Sequence, residues 1–248
     1  MKAIVTYHSI DDSGSVVSVH PERFRMHVEH LAERGIPVLS LREVLSPDCE
    51  AGVAITFDDG FANLASVAWP ILRSHGFSAT AFVATDWVGR DNGWDPDDAR
   101  IPRLPLLGWS ELAGLAQEGL TIASHSRSHP RLTELDARAR AEELEESAAT
   151  IEARLGERPL ALAYPYGDYD SPVKRAAEAA GYRWAVTTDL APLGGDQDPL
   201  ALPRLDAFYL AKPGIMERWG TSGFLRYMMF RRAARTLRAS LRRPRVRA

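Results

Sequence analysis

Two adjacent carboxylates, Asp58 and Asp59, stand at the end of an apolar, β-branched run that opens at Val53. Such a run reads as a strand buried on both faces. Neighbouring carboxylates there repel each other and lose hydration, a cost that a bound cation offsets. A second set of ligand types follows at His125 and His129. Histidines four apart share one face of a helical turn, and Pro130 disfavours helix at the residue before it. The spacing therefore predicts one turn ending at His129. One carboxylate and two imidazoles give three protein ligands and an open position, the layout of a hydrolytic metal centre, and leave the other carboxylate as a general base. Asp-Asp-Gly by itself is a common turn sequence; the paired histidines are what point to chemistry.

With Ala163-Tyr164-Pro165-Tyr166-Gly167, the segments Thr56-Phe57-Asp58-Asp59-Gly60 and His125-Ser126-Arg127-Ser128-His129 are similar in order and spacing to the motifs of the polysaccharide deacetylases, carbohydrate esterase family 4. The resemblance runs over about residues 3–210. It implies Asp59, His125 and His129 as metal ligands and Asp58 as the base. It also implies the Tyr166 backbone N–H as a donor to the oxyanion. Zinc is the default cation; cobalt, nickel and iron suit the same donors. The implied activity is hydrolysis of N-acetyl groups on an amino sugar of a glycan or glycolipid. Relatives that open cyclic imides or ureides are a second reading, and a glycan-binding pseudoenzyme is a third.

The chain departs from the family pattern twice. An arginine that braces the base often opens the third motif, but here that position is Ala163. The usual general acid is a histidine in a late Leu-x-His, yet no histidine follows His129, and Leu202-Pro203-Arg204 puts arginine in that place. Arginine cannot donate a proton near neutrality. Tyr7-His8 instead resembles the early Tyr-His of the poly-N-acetylglucosamine deacetylase branch, which implies His8 as the acid; a buried structural histidine is the alternative. Arg204, with Asp206, is then a candidate to brace a carboxylate such as Asp58. Ser124, Ser126 and Ser128 read either as partners of the ligands or as solvated hydroxyls. Trp94 is a candidate to stack on a sugar, while Trp109 reads as core. His27 and His30 read as surface positions on one helix.

Strand and helix signals alternate along the chain. Strands are expected over 3–8, 53–58, 78–85, 120–124, 160–164, 184–188 and 201–205, and helices over 21–34, 62–74, 109–117, 136–155 and 172–180. Pro70 should kink the second helix, Ser171 should cap the last, and the acid-rich face of 136–155 should be solvated. The alternation predicts an α/β chain: a single-domain distorted (β/α) barrel of about seven parallel strands with outer helices. Asp58, Asp59, His125, Tyr166 and His8 all fall at or just past C-terminal strand ends, where such barrels gather chemistry. The Gly/Pro/Asp-rich loop over 88–107 is long enough to face a substrate.

A length of 248 residues with 45% hydrophobic residues allows one sizeable core. The lone Cys49 excludes an internal disulfide and reads as a surface thiol. The start resembles no secretory signal and no run is long enough to span a membrane, so the expected location is cytoplasmic. Net charge is −3, but nine arginines and no acid lie between Leu225 and Ala248, which leaves 21 basic against 33 acidic residues elsewhere. With basic charge confined to the tail, nucleic acid is not an expected partner. The division expected is a catalytic barrel over 1–220 and a basic amphipathic helix and tail over 221–248. In that tail Phe224, Tyr227, Met228, Phe230, Ala234, Leu237 and Leu241 are expected to continue one apolar face. It either docks on the barrel with a free basic end or lies on an anionic membrane.

Overall fold

The computed structural model describes residues 1–94 and 101–242, with side chains through Leu237. Seven strands form one sheet: β1 (Lys2–Tyr7), β2 (Gly52–Phe57), β3 (Thr80–Val83), β4 (Thr121–Ser124), β5 (Ala161–Ala163), β6 (Trp184–Val186) and β7 (Leu205–Asp206). All pairings are parallel, in the order β6-β5-β4-β3-β2-β1-β7. The sheet curls into a half-barrel whose two ends are tied by one short segment. Leu202 bridges Val186 on β6, and three residues later Leu205 pairs with Val5 on β1. The strand expected over 201–205 is thus split between two neighbours, and Pro203, which has no ladder donor, lies between them.

The strands are buried on both faces because one apolar cluster fills the interior and two others lie between the sheet and the outer helices. Ile4, Ala54, Phe82, Ala123, Ala163, Val186 and Leu202 fill the interior, where alanines leave room for the curl. Alternate residues such as Val5, Val53, Ile55 and Val83 face the outer helices. Those helices are α1 (Pro21–Glu33), α2 (Leu41–Val44), α3 (Trp69–Ser74), α4 (Trp109–Gln117), α5 (Ala137–Leu155), α6 (Ser171–Ala179), α7 (Ala207–Leu210) and α8 (Ser222–Arg242).

Local chemistry explains where the observed boundaries differ from expectation. A π turn over Leu64–Ala68 precedes α3, and Pro70 lies in the first turn of α3, where its missing N–H costs nothing. Asp170 rather than Ser171 caps α6, accepting from the Val173 N–H. The short α2 has no counterpart among the expected helices; a reciprocal Ser40–Glu43 capping box supports it. His27 is not on the surface: it is 2% exposed and lies on the stripe of α1 that buries Phe24, Val28 and Leu31. The expected apolar face of α8 divides in two. Phe224 and Met228 join the barrel core, whereas Phe230 and Leu237 point outward. The Leu241 side chain, residues 95–100 of the long loop and residues 243–248 lie outside the described residues. Among the described residues, no helix is long and apolar enough to cross a membrane.

Candidate active site

Strand register brings the site together. β1 and β2 pair Tyr7 with Phe57, which sets His8 beside Asp58, and the Asp58 N–H bonds the Tyr7 carbonyl. On the other side, β4 lies between β3 and β5. His125 donates its N–H to Val83 and meets the Ala163 carbonyl through Nδ1 at 2.7 Å. Tyr164 and Tyr166 leave the end of β5 in a single 3₁₀ turn. Strands β1, β2, β4 and β5 thus deliver their residues to the same rim.

Asp59, His125 and His129 converge, all buried, with one donor atom each within 4.8 Å of the others. Asp59 Oδ1 lies 3.4 Å from His125 Nε2 and 3.5 Å from His129 Nε2. Ligands about 2.0–2.1 Å from a tetrahedral cation stand roughly 3.3 Å apart, so this spacing fits a shared ion. The Ala163 carbonyl accepts from the Nδ1–H of His125, so in the neutral imidazole that binds a metal the Nε2 lone pair faces Asp59. Burial, then the nearby His125, pushes the His129 imidazole down to about 3, so it stays neutral with a lone pair to give. The donor set therefore fits a divalent metal.

The two histidines do not share a helical turn as their spacing suggested. They sit in a loop between β4 and α5, where Ser126 (φ 65°) and His129 (φ 65°) adopt left-handed backbone. Ser126 Oγ accepts from the His129 N–H, and Ser124 Oγ accepts from the Ser126 N–H. These hydroxyls brace the loop; they are not solvated. Glu143, a buried acid on α5, completes it by accepting from the Arg127 and Ser128 N–H groups and the Ser128 hydroxyl. The sequence reading had that helix's acids in solvent and missed Glu143. The available signal was its place on the inward stripe with Leu144, Ser147 and Ile151.

Asp58 meets Arg204 through two bonds, Nη1 to Oδ1 at 2.7 Å and Nη2 to Oδ2 at 2.6 Å. Arg204 is 1% exposed, and its Nε donates to the Thr187 carbonyl. Arginine therefore reaches the carboxylate from just before β7, where the family pattern would send it from Ala163. Burial pushes the Asp58 carboxyl up, but the guanidinium overrides it and holds the group well below the usual carboxylate range. Asp206 does not share this role, since it accepts from the Phe208 N–H at the start of α7. His8 Nε2 lies 3.8 Å from Asp58 Oδ2, with its side chain 28% exposed.

His8, Asp58, Asp59, His125 and His129 line a cavity of about 310 Å³ that also includes Trp94, Arg103, Tyr166 and Thr188. Trp94 packs on His129, ring centroids 4.5 Å apart, and Tyr166 packs on the same imidazole at 4.8 Å. Arg131 covers the Tyr166 ring at 4.3 Å. Trp109 lies away from the cavity, packed on the core with Arg154 over it. Tyr166 is left-handed (φ 60°), and the next residue must be glycine. A Cβ on Gly167 would come within 2.1 Å of Thr188 Oγ1. Among the described residues, the four non-glycine positions with positive φ are Asp59, Ser126, His129 and Tyr166. Backbone strain is concentrated where the side chains meet.

The profile of the family described as polysaccharide deacetylase matches residues 46–185. A Bacillus subtilis (strain 168) protein assigned to the polysaccharide deacetylases, YxkH, is 29% identical over 208 residues, covering 82% of this chain and 70% of its own. The poly-β-1,6-N-acetyl-D-glucosamine N-deacetylase of Staphylococcus epidermidis is 23% identical over 217 residues, 82% of this chain and 72% of its own. Among solved structures, IcaB from Ammonifex degensii has a TM-score of 0.73 at 19% identity, covering 87% of this chain and 94% of that one. The Streptococcus pyogenes deacetylase PplD in complex with acetate has a TM-score of 0.71 at 23% identity, over 83% and 91%. The fold is shared with both, and the profile spans more than half of the sequence: the chain belongs to the polysaccharide deacetylase family.

Proposed function

We propose that this chain is a divalent-metal hydrolase that removes the N-acetyl group from an amino sugar in a glycan or glycolipid. The observation that carries the reading is the convergence of Asp59, His125 and His129 beside an ionised Asp58 in one open cavity. Zinc, held by Asp59, His125 and His129, is the cation we assign. Such an ion supplies Lewis acidity toward the acetyl carbonyl and lowers the pKa of water to about 7.

The chain's own residues do the rest. Asp58 accepts the proton of the attacking water, and Arg204 keeps that carboxylate ionised and oriented. The N–H of Tyr166, a cavity-lining residue, donates to the developing oxyanion. His8, partly exposed beside Asp58, gives the leaving amine its proton. Trp94 and Tyr166 offer aromatic faces to a sugar ring. A relative named for poly-β-1,6-N-acetyl-D-glucosamine supports an acetylated amino-sugar polymer as the substrate class. A binder without turnover would gain nothing from a buried ion pair that costs stability.

Acetate release from N-acetylglucosamine oligomers tests this, using chelated enzyme with and without added zinc, cobalt or nickel and with a cyclic imide run alongside. Release should depend on metal. Asp58→Asn should keep its metal and lose turnover, while His8→Ala should lower the amide rate by about 10²–10⁴ and barely affect an activated ester. Full metal occupancy in the His125→Ala, His129→Ala double variant would sink the ligand assignment, and cleavage of the imide alone would redirect the substrate.

A further inference from the structure

Helix α8 carries two apolar faces, and the barrel uses one of them. Phe224 and Met228, four residues apart, are 0% and 1% exposed and join the core with Leu210, Met216 and Trp219. The Trp219 and Phe224 rings are 5.2 Å apart. On the far side Met229, Phe230 and Leu237 are 62%, 66% and 61% exposed. Met229, Ala233 and Leu237 follow at four-residue steps, so they form one line along the helix, with Phe230 beside it. Arg226 and Arg232 are exposed on the same stretch. From Leu225 to the end the sequence has nine arginines and no acid, although the remainder of the chain is acidic.

A helix that only finished the fold would turn a polar face outward. We propose that α8 lies on the surface of an anionic phospholipid bilayer, with Met229, Phe230 and Leu237 entering the headgroup boundary and the exposed Arg226 and Arg232 among the lipid phosphates. Arginine's long aliphatic stem suits that arrangement, because the apolar part stays in the membrane while the charge reaches the phosphate plane. A second copy fits less well, since a two-fold interface would set the same arginines against one another. Nucleic acid would satisfy the charge and leave the three apolar side chains in water.

Vesicle flotation tests the proposal with the full chain. It should float with equimolar phosphatidylcholine and phosphatidylglycerol at low salt, lose most binding at high salt, and stay behind with phosphatidylcholine alone. Each arginine near an anionic surface is worth about fivefold in partition, so Arg226→Gln with Arg232→Gln should cost roughly 25-fold. Met229→Ser, Phe230→Ser and Leu237→Ser together should abolish flotation without changing the melting temperature, since all three side chains are exposed. Asp58→Asn should float as the parent does, which separates this surface from the catalytic reading. Equal flotation of parent and triple serine variant, no flotation of the parent, or a dimer that the serine substitutions dissociate would each overturn it.

Discussion

The bidentate pairing of Arg204 with Asp58 decides what kind of base this carboxylate is. Burial alone would favour the protonated acid, whereas the guanidinium keeps it ionised. Arg204→Met should therefore raise the Asp58 pKa and move the acid limb of the kcat/KM profile to higher pH. It should also destabilise the fold by about 3–5 kcal/mol, the cost of stranding a buried charge. Adding Asp58→Asn to that variant should recover part of the stability. A pH–rate profile and urea unfolding measure both effects, and lost stability with an unmoved acid limb would make Arg204 merely structural. The sequence could show that Ala163 lacked the bracing arginine and that Arg204 stood at an unusual place. It could name Arg204 as a candidate brace for Asp58 but not the bidentate geometry, because 146 residues separate the partners and only the curl of the sheet brings them together.

At the scale of elements, the loop between β4 and α5 shows what spacing leaves open. Histidines four apart fit a helical turn or a compact loop equally well. The loop prevails because Ser124, Ser126 and Glu143 satisfy its backbone donors while two residues take left-handed geometry. Only the Pro130 signal spoke against helix at His129. Glu143 touches neither ligand side chain in this network, so its effect is exerted through loop geometry. Glu143→Gln keeps the shape of the acid but turns an acceptor into an amide facing N–H groups. It should weaken metal binding by about 10–100-fold, the usual cost of losing a partner behind the ligands. Turnover should return at saturating metal, and Glu143→Asp should restore part of the affinity. Metal titration followed by assays at saturation checks this. Unchanged affinity with lost turnover would contradict a positioning role.

Across the whole molecule, alternation and apolar runs were enough to foresee seven parallel strands inside a ring of helices, because burial on both faces makes such strands continuous in sequence. A barrel was expected, but not that 201–205 would close it by pairing with two different strands through only a few residues on either side of Pro203. His27 is an instructive error, since Phe24, Val28 and Leu31 already marked the inward stripe on which it lies. It is buried against β1, with the Tyr7 hydroxyl 3.0 Å from Nδ1. Burial, reinforced by Arg23, pushes its imidazole down to about 4. The unfolded chain binds a proton near pH 6.5, where the folded chain does not, so stability rises with pH through that interval. The contribution is complete above about pH 6.5 and is lost as pH falls toward 4, by up to about 3 kcal/mol. Replacing His27 by Gln keeps a group able to bond Tyr7 and removes the titration. The variant's urea midpoint should therefore fall less than the parent's between pH 7 and pH 4.5. Parallel declines would mean that acid sensitivity comes from other groups, and that burying this histidine costs the fold little.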